Sequence, residues 1–470
     1  MKLCVRRCCL LLSLSILVCG RLLAQPFIGL PSADNTIMLV PENPAFAVHD
    51  DVIQANIASI GGIVGGNSFA FNPSVYNFLN TGTISNNTDY VKQYGGARKN
   101  FNATIDIMGP GASFKIKKKY NVAITTGARY LLNSDNLSTD VFGLLGTNPK
   151  YEADTVNTHL VHNYSLVAQV YSQVGFTYGG YLYNSQEQTL KGAVTLKVLI
   201  GAGAVGLGIP SVNFATHNND GNTYNLAGNA NIAFTPYANK WAITPNPFTA
   251  FSQGSFNGGV GFDMGLVYEI HKPENYRLQK KYTVRLAISI TDIGGIGYTA
   301  SSTTGGYSAT IKDTIRNQAV SYNIQNNSST TFGSIINTYT KDSLLTQTSS
   351  RSKFRVGLPT ALRMNADIKI DENYYINANA LINLRAPSAD KFVNHYITGI
   401  TVTPRYMHNG FGIGLPFSYN TAAQTYIGAV IFMGPFYIGI PTIYNMLVTR
   451  DAISAYAGLS FRIKSKEDAP

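Results

Sequence analysis

The residue types that carry out most protein chemistry are sparse in this chain, and their spacing completes no reactive site. His159 and His162 are three positions apart, so an extended strand would place their rings on opposite faces, and no carboxylate is spaced to join them around a metal. His49, Asp50 and Asp51 combine a base with two acids, but they stand where a strand begins, without a second acidic pair. We interpret them as a solvated strand entry.

Other reactive patterns are incomplete or missing. Asn218–Asn222 resembles the start of a calcium loop but lacks the acid expected near the twelfth position, so it indicates a turn. The sequence contains neither a Gly-x-Ser-x-Gly motif nor a lysine-bearing phosphate loop. All four cysteines stand at or before Cys19, which excludes disulfides, thiolate metal sites and cysteine nucleophiles from the rest of the chain. These observations predict a protein that is not an enzyme and has no metal or cofactor.

The composition favours a membrane β-barrel. Charged residues make up 13% of the 470 residues, about half of the roughly 25% that is usual in soluble globular proteins. The mean hydropathy is +0.00, and glycine and proline break the longest apolar stretch, 430–444. A membrane-spanning helix needs ~18 or more apolar residues, so this stretch is too short. Strands can still span a membrane, because alternation hides their apolar positions within a polar sequence.

The N-terminus has the features of a secretory leader. Basic residues precede an apolar run at 10–18, and Ala24 offers a small residue before Gln25. We therefore predict that residues 1–24 are a cleaved signal peptide; a lipoprotein signal at Cys19 is the alternative, although a valine precedes it where a small residue is needed. Four positive charges of the net +11 belong to this leader. The remaining surplus is too dilute for a nucleic-acid-binding protein.

Several segments alternate as barrel strands do. In 282–290, apolar residues occupy one parity and Thr, Arg, Ala and Ser the other. Residues 362–370 and 374–384 repeat the pattern around a tight turn, 371–373, and the polar parity is richer in Asn and paired charges than a soluble sandwich would show. The last such strand is 453–463. Further strands are predicted at 52–60, 103–115, 121–131, 165–182, 190–199, 224–234, 258–270, 395–406, 410–419 and 426–433. This gives an all-β transmembrane antiparallel barrel of about 14 strands.

Asp292 and the glycines after it form a candidate strand kink. Nine alternating residues at ~3.3 Å each, tilted ~45°, cover roughly the ~25 Å apolar band of such a barrel. Asp292 falls on the apolar parity one step later, so we expect it in the headgroup zone, where water solvates its carboxylate. Gly294, Gly295 and Gly297 would permit a bend or bulge there, and we expect Tyr298 in an interfacial aromatic girdle.

The connections predict the domain organisation. Short polar turns at 117–119, 271–281 and 371–373 are typical of the periplasmic side, whereas the long polar stretches 133–159 and 300–350 are typical of exposed loops. The stretch 300–350 is either a functional loop or partly disordered. The domain boundaries that follow are a leader at 1–24, an N-terminal segment at 25–51, a barrel at 52–463 and a short tail at 464–470.

The N-terminal segment carries a compact polar motif, Asn43-Pro44-Ala45. Pro44 fixes its own φ and lacks a backbone donor, so the motif does not belong in a central strand. It suits a turn packed inside the mouth of a barrel. We therefore predict that residues 25–51 form a hatch-like segment; a plain entry turn is the alternative.

Four stretches in order resemble an uncharacterised family of Bacteroidota outer-membrane β-barrel proteins. They are LAISITDIGGIGY (286–298), FRVGLPTALRMNADIKI (354–370), TPRYMHNGFGIGLPFSYN (403–420) and MGPFYIGIPTIYNML (433–447). Asn43-Pro44-Ala45 is a motif that this family shares with FadL-like transporters of hydrophobic compounds and with PorV-like outer-membrane proteins of protein secretion. The resemblance implies a FadL-like barrel with an N-terminal segment in or below the lumen. The resemblance assigns no functional residue to this chain.

Two functions remain open for such a barrel in the outer membrane of a Gram-negative bacterium. The first is passive uptake or binding of a small hydrophobic molecule, with a lumen gated by the N-terminal segment and a sideways exit at Gly294–Gly297. The second is a non-enzymatic scaffold for protein secretion or surface attachment, with a secretion-system partner. The expected partners are outer-membrane lipid and lipopolysaccharide, and the barrel assembly machinery during biogenesis. An apolar pocket continuous with the kink would favour uptake, and a packed polar lumen would count against it.

Overall fold

A computed structural model gives the structure of most of the chain. It describes residues 27–30, 37–72, 74, 90–93, 98–117, 119–139, 156–217, 223–238, 257–271, 282–310, 331–341, 345–420, 425–449 and 451–463. The leader, the turn 218–222, most of the turn 271–281, the middle of the loop 133–159 and the tail 464–470 lie outside these residues. Within them, no helix has both the length and the apolar character needed to cross a bilayer.

The described residues form 23 strands and one α-helix, α1 (Phe332–Lys341). The strands are β1 (Ile53–Gly66), β2 (Phe69–Phe71), β3 (Tyr90–Lys92), β4 (Arg98–Met108), β5 (Gly111–Lys117), β6 (Tyr120–Ser138), β7 (Val156–Asn184), β8 (Gln188–His217), β9 (Thr223–Phe234), β10 (Asn257–Ile270), β11 (Val284–Thr299), β12 (Gly305–Thr310), β13 (Thr346–Ser350), β14 (Lys353–Gly357), β15 (Ala361–Lys369), β16 (Tyr374–Asn383), β17 (Gly399–His408), β18 (Phe411–Gly414), β19 (Phe417–Asn420), β20 (Tyr426–Ile427), β21 (Ala429–Met433), β22 (Phe436–Ile440) and β23 (Ala452–Ile463).

One antiparallel sheet closes on itself in a ring of 14 wall strands, which confirms the predicted barrel. The ring closes where β1 pairs with β23, from Ile53 opposite Ile463 to Gly65 opposite Ala452. Some wall strands are made of two pieces. The predicted strand 103–115, for example, is β4 and β5, separated at Gly109 and Pro110, because proline cannot donate to a sheet ladder.

Two details of the strand prediction are wrong although the count agrees. The predicted strand 224–234 is β9, which pairs with β8 and β12 rather than standing in the ring. The ring instead includes β22, which lies in a five-residue stretch between prolines that the sequence reading passed over. The two errors offset each other.

The wall extends far beyond the ring on one side. β7 and β8 are 29 and 30 residues long and pair along almost their whole length. β9, β12 and β13 continue this extension, and α1 packs Ile336 against it beside Phe234 and Tyr307. The predicted loop 300–350 therefore contains β12, α1 and β13 among its described residues.

The short turns share the opposite side of the barrel with both ends of the ring. One of them, Asn409-Gly410, joins β17 to β18 with φ of 46° and 82°, the two positive values that a two-residue hairpin of type I′ requires. Outer-membrane barrels have short periplasmic turns and longer extracellular loops. We therefore call the two sides of this barrel the turn side and the loop side.

An apolar belt surrounds the ring. On β10 every second residue from Val260 to Ile270 points outward, and Val260, Met264, Leu266 and Ile270 are exposed. These ten steps at ~3.3 Å each, tilted ~40°, span about 25 Å, the height of the lipid-facing band of outer-membrane barrels. On the turn side the belt ends in exposed aromatic residues next to the turns: Tyr374, Phe411, Phe436 and, stacked on each other, Tyr120 and Tyr178.

A β-bulge in β11 overturns the expected position of Asp292. Phe262 pairs with Ile293 and Met264 with Ile290, so Asp263 alone faces the two residues Thr291 and Asp292. The extra residue turns Asp292 inward with φ of 58°, and its exposed fraction is 0%. Solvation in the headgroup zone is therefore wrong for Asp292.

The same bulge reverses the faces of the rest of the strand. Before it the even-numbered residues, such as Leu286 and Ile288, point outward; after it Ile296 and Tyr298 point inward and are fully buried. Shifting a strand by one residue exchanges its two faces. Tyr298 consequently packs in the lumen and not in the aromatic girdle, which corrects that expectation.

The belt predicts a depth-dependent cost for a charge on the outer face. We expect Ile288→Arg, near the middle of the belt, to lower the free energy of unfolding by about 2–4 kcal/mol, since a lipid-facing arginine is most costly at the bilayer midplane. Denaturant titration of the barrel folded into lipid vesicles measures it. The control is Thr299→Arg, outward and above the belt, which should cost no more than about 1 kcal/mol. Equal costs at the two positions would contradict the belt.

Candidate functional site

The N-terminal segment lies inside the barrel. Residues 27–30 and 37–48 are almost entirely buried, and the segment contains two short 3₁₀ helices, Ile37–Leu39 and Pro44–Ala47. Its apolar side chains join a cluster with residues of the surrounding wall such as Val267 and Tyr437. We call the described residues of this segment, 27–30 and 37–51, the hatch.

Asn43 connects the hatch to the barrel wall. Its Oδ1 accepts from the backbone N–H of Ala45 at 2.9 Å, which caps the 3₁₀ helix begun by Pro44. Its Nδ2 donates to the backbone oxygens of Leu266 and Ile288, each at 3.1 Å, on two neighbouring strands. Gly265 makes room for this approach, because a Cβ there would stand 2.0 Å from Asn43 Oδ1. The motif that the sequence singled out is thus the docking point of the hatch.

Three other side chains of the wall hold the hatch by its backbone. Ser113 Oγ donates to Ala47 O at 2.9 Å, Asn121 Nδ2 to His49 O at 3.0 Å, and Ser289 Oγ to Glu42 O at 2.5 Å. His49 also bonds Ser113 Oγ at 2.9 Å, so its ring is buried in the hatch contact. This replaces the interpretation of His49 as part of a solvated strand entry.

An ionic layer crosses the lumen above the hatch. Asp292 receives Lys197 Nζ at 2.6 Å on one carboxylate oxygen and Arg129 Nη1 at 2.9 Å on the other. Lys197 also lies 2.7 Å from Asp263, and Arg129 lies 2.9 Å from Asp106. All five side chains are buried, and they come from five wall strands: β4, β6, β8, β10 and β11.

The bulge is what brings Asp292 into this layer. Asp263 stands opposite the inserted residue, and its Oδ1 accepts the backbone N–H of Asp292 at 2.7 Å. Thr360 donates to the backbone oxygen of Asp292 at 2.8 Å. Both backbone groups that the bulge withdraws from the ladder are therefore satisfied, and the left-handed φ is tolerated because aspartate visits that region more readily than bulkier residues do.

The connection between β16 and β17 folds into the barrel and crosses it. We call residues 384–398 the strap. It starts from β16 and reaches β6 and β7, which stand roughly opposite in the 14-stranded ring. Tyr396 of the strap donates its hydroxyl hydrogen to Asp292 at 2.6 Å and accepts from Arg129 at 2.9 Å. The strap is thereby tied to the ionic layer.

Amide pairs fix the far end of the strap to the wall. Asn133 of β6 accepts from Asn394 Nδ2 at 2.8 Å and from the His395 N–H at 3.0 Å, and it donates to His395 O at 3.1 Å. His395 Nε2 lies 2.8 Å from Asp135, also on β6. Burial by itself lowers the pKa of His395, but the Asp135 carboxylate and the hydrogen bonds outweigh it, so the pKa is raised above its usual value.

The strap covers an apolar layer on the loop side of the lumen. Tyr298, Phe354 and Phe392 are buried there, with Tyr298 stacked on Phe354 at 5.6 Å and Phe392 edge-on to Phe354 at 6.2 Å between ring centroids. Gly206 lets the Phe392 ring lie against β8, because a Cβ there would stand 2.4 Å from it. Phe392 belongs to the strap, whereas its neighbours belong to the wall.

Between the hatch and the ionic layer the described side chains leave a cavity of about 20 Å³, lined by Glu42, Asp106, Arg129, Arg363 and Tyr396 among others. Such a volume suffices for about one water molecule. The described side chains around this cavity are largely polar, while those next to Gly294–Gly297 are apolar and include Phe392 of the strap. Among the described residues, a strap side chain therefore stands in the apolar layer where a pocket continuous with the kink would have favoured uptake.

The structure separates the predicted site residues into two places. Asn43, Pro44 and Ala45 lie in the hatch, and Asp292 lies in the ionic layer next to it, where Glu42 and Arg129 line the same cavity. The glycines lie apart from both: Gly294 has φ of 151° shortly after the bulge, Gly295 is buried beneath Arg355, and Gly297 is exposed on the outer face. Among the described residues, no group of three or more His, Cys, Asp or Glu is placed to hold a metal.

Sequence reasoning missed the partners of Asp292. Arg129, Lys197 and Asp263 each stand on the polar parity of a strand, a position that a water-filled lumen would explain equally well. Tyr396 stands in a segment taken for the start of a strand. The sequence holds one signal for these partners: charged residues recur at the same depth on several strands. That signal can be recognised only when the register between the strands is known.

A family model described as a family of unknown function, DUF5723, matches residues 44–440. No curated protein matches the chain. Similar solved structures include the toluene transporter TbuX of Ralstonia pickettii, with 10% identity, TM-score 0.38, and coverage of 90% of this chain and 93% of that one. The toluene transporter TodX of Pseudomonas putida has 10% identity and TM-score 0.38, and the match covers 94% of this chain and 100% of the TodX chain. The translocator domain of the autotransporter NalP of Neisseria meningitidis has 8% identity and TM-score 0.30, and the match covers 88% of this chain and 90% of that one. At this level the likenesses carry no argument about function.

The ionic layer predicts a large cost for neutralising Asp292. We expect Asp292→Asn to lower the free energy of unfolding by about 3 kcal/mol, because each cation keeps one acid but loses the other in a buried site. Asparagine tolerates the left-handed φ, so backbone strain does not explain the loss. The control is Asp50→Asn, which removes the exposed pair with Lys115 and should cost less than about 1 kcal/mol in the same denaturant titration. A cost as small as the control's would show that the layer does not depend on Asp292.

The pair His395–Asp135 predicts a strap that loosens as the pH rises. Because the pKa of His395 is raised in the folded protein, its stabilisation is complete below about pH 6.5, the unfolded value, and is lost as the pH rises through the folded value. Amide hydrogen exchange of the strap, corrected for its intrinsic pH dependence, measures this loosening: protection of Asn394 and His395 should fall as the pH rises above about 6.5. His395→Asn should give lower protection without that trend. The same trend in this variant would assign the effect to another group.

Proposed function

Because the chain belongs to the family of unknown function DUF5723, we propose its function from its own lumen: an outer-membrane barrel that binds small hydrophobic molecules and lets them pass two gates, the strap and the hatch. The observation that carries the proposal is Phe392. An apolar layer built by the wall is filled by a side chain from a loop. A hydrophobic molecule that displaces Phe392 would find a site that already excludes water.

The strap is suited to move because many of the contacts that hold it to the wall are hydrogen bonds. Its described contacts to the wall include hydrogen bonds of Arg385, Ala389, Asn394, His395 and Tyr396. Tyr396 also packs against Ala361 and Leu381. An intramolecular hydrogen bond contributes about 1 kcal/mol, since water replaces it when it breaks. A ligand that fills the apolar layer offsets the loss of the Phe392 contacts, and water entering with the open strap offsets much of the rest.

The hatch is the second gate. Its described residues form 3₁₀ turns and no strand of the sheet, so side-chain hydrogen bonds and apolar packing hold them in place. Releasing it leaves the ring of 14 strands closed, because none of the wall pairings passes through it. A molecule bound above the ionic layer would still need side chains of that layer, and then the hatch, to move before it reached the turn side.

A sideways route would leave the barrel next to β14 rather than at Gly294–Gly297. β14 pairs with β11 on one edge, and on the other edge Gly357 bonds the strap, donating to Phe392 O at 3.0 Å and accepting from Asn394 N at 3.1 Å. Opening the strap therefore frees an edge of the wall beside the apolar layer. The kink that the sequence suggested lies one strand away and keeps its pairing with β10 across the bulge.

Two gates in series predict a non-additive pair of mutations. Phe392→Ala opens the strap layer, and Asn43→Ala removes two wall hydrogen bonds of about 1 kcal/mol each, which raises the released fraction of the hatch by roughly tenfold or more. We expect either change alone to speed uptake little, since the other gate stays closed, and the double variant to speed it severalfold. The measurement is the entry rate of phenylnaphthylamine, a hydrophobic fluorescent probe, into Gram-negative cells that express the barrel.

The control is Phe411→Ala, which removes an exposed phenylalanine from the lipid face and should leave the uptake rate unchanged in either background. A double variant as slow as the wild type would reject uptake. In that case the second candidate, a PorV-like scaffold for secretion or surface attachment, stands on the extension of β7, β8, β9, β12 and β13 beyond the ring. A partner that co-purifies with the barrel and is lost when 300–350 is deleted would then support it.

A further inference from the structure

The outer surface of the barrel has a shelf of glycines where the apolar belt ends on the loop side. After the bulge, Gly295 and Gly297 of β11 face outward, and Gly258 of β10 stands beside them. A Cβ built at Gly258 or at Gly297 would meet no atom within 4 Å, so the surface there is open. Val260, 62% exposed, borders the shelf from below and is the last apolar residue of the belt on its strand.

Two cations stand at the edge of this shelf. Phe354 and Val356 of β14 point into the lumen, so Lys353 and Arg355 point outward, and both are exposed. The register places Arg355 opposite Gly297 and Lys353 opposite Thr299. Arg355 lies flat on the outer face of β11, because a Cβ at Gly295 would be 2.8 Å from its Nε.

In the described part of the chain, these cations have no acid to pair with on this surface. No Asp or Glu occurs between Leu345 and Ala366, and the acids of the facing strands, Asp263 and Asp292, point into the lumen. Among the described residues, neither Lys353 nor Arg355 forms an ion pair or a side-chain hydrogen bond, and Arg351, two positions further, is exposed as well. The outer face is therefore positively charged at this height.

The height is that of lipid headgroups. Gly295 pairs with Val260, which marks the edge of the belt, and Arg355 and Lys353 lie two and four residues further along the strands. At ~3.3 Å per residue and a tilt of ~40°, this places them about 5 and 10 Å beyond the apolar band. Apolar lipid chains end at this level, and basic residues just outside a bilayer attract anionic headgroups.

We propose that Lys353 and Arg355, with the shelf at Gly258 and Gly297, bind the phosphate groups of an anionic lipid in the outer leaflet. The guanidinium of Arg355 offers paired donors to phosphate oxygens. Lys353 adds a second positive charge two residues further along β14 from the apolar belt. The shelf gives the headgroup room against the wall, while Val260 contacts the start of its acyl chains. This binding site is on the outside of the barrel and does not depend on the gates in the lumen.

The test compares two double variants that each remove one lysine and one arginine. K353Q/R355Q removes the proposed site, and K119Q/R462Q removes exposed cations on the turn side. Each barrel is placed in phosphatidylcholine nanodiscs containing a small fraction of diphosphorylated lipid A, and native mass spectrometry counts the lipid A bound per barrel. We expect roughly tenfold weaker binding in K353Q/R355Q and little change in the control, since each basic residue near the surface contributes an appreciable share of the attraction.

A second lipid and a third variant make the outcome specific. Dephosphorylated lipid A should bind all barrels alike, and G297V, which fills the shelf but keeps both cations, should weaken binding of the phosphorylated lipid while circular dichroism shows an intact barrel. Equal losses in the two double variants, wild-type binding by K353Q/R355Q, or an equal loss towards the dephosphorylated lipid would overturn the site. Unchanged binding by G297V would remove the shelf from it.

Discussion

The burial of one carboxylate, that of Asp292, is the constraint on which the interior of this barrel depends. A charge buried without partners is one of the most costly features that a folded protein can contain, so the surrounding strands must supply cations at the same depth. Lys197 and Arg129 do so, and two further acids, Asp263 and Asp106, share them. The register of β4, β6, β8, β10 and β11 is fixed by these contacts as well as by the ladder, since sliding any of them would leave a charge unpaired.

The ionic layer also separates the two segments inside the lumen, the hatch and the strap. Tyr396 ties the strap to the loop-side face of the ionic layer, whereas the hatch approaches from the turn side and brings Glu42 within 3.6 Å of Arg363. Asn43 holds the hatch to β10 and β11 and Asn133 of β6 holds the strap, with no direct bond described between the two segments. In the proposed uptake, the strap and the hatch would move independently, while the ion pairs of Asp292 with Lys197 and Arg129 hold the wall strands together.

The sequence predicts what depends on local periodicity. Strands such as β10, β15 and β16 have a clean alternation, because one face meets lipid and the other meets the lumen, and these strands can therefore be predicted from the sequence. The same periodicity fails where a single residue is inserted. The glycines indicate a bend or bulge only after Asp292, whereas the inserted residue lies at Thr291–Asp292, so the sequence places Asp292 and Tyr298 on the outer side. The partners of Asp292 stand 95 and 163 positions away along the chain. Contacts of that range are set by closure of the sheet, which no local pattern contains.

Asn43-Pro44-Ala45 was recognised for a different reason: proline excludes a central strand, so the motif had to be a turn near the barrel mouth. The strap was missed because His395 and Tyr396 stand directly before β17 and continue its apolar character. The likeness between a lumen loop and a wall strand has a physical cause. A loop that folds into the lumen must be as apolar as the wall it meets, so its composition imitates that of a strand, and only its lack of ladder partners distinguishes the two. Segments that plug a barrel are for this reason the part of its sequence that most resembles the barrel itself.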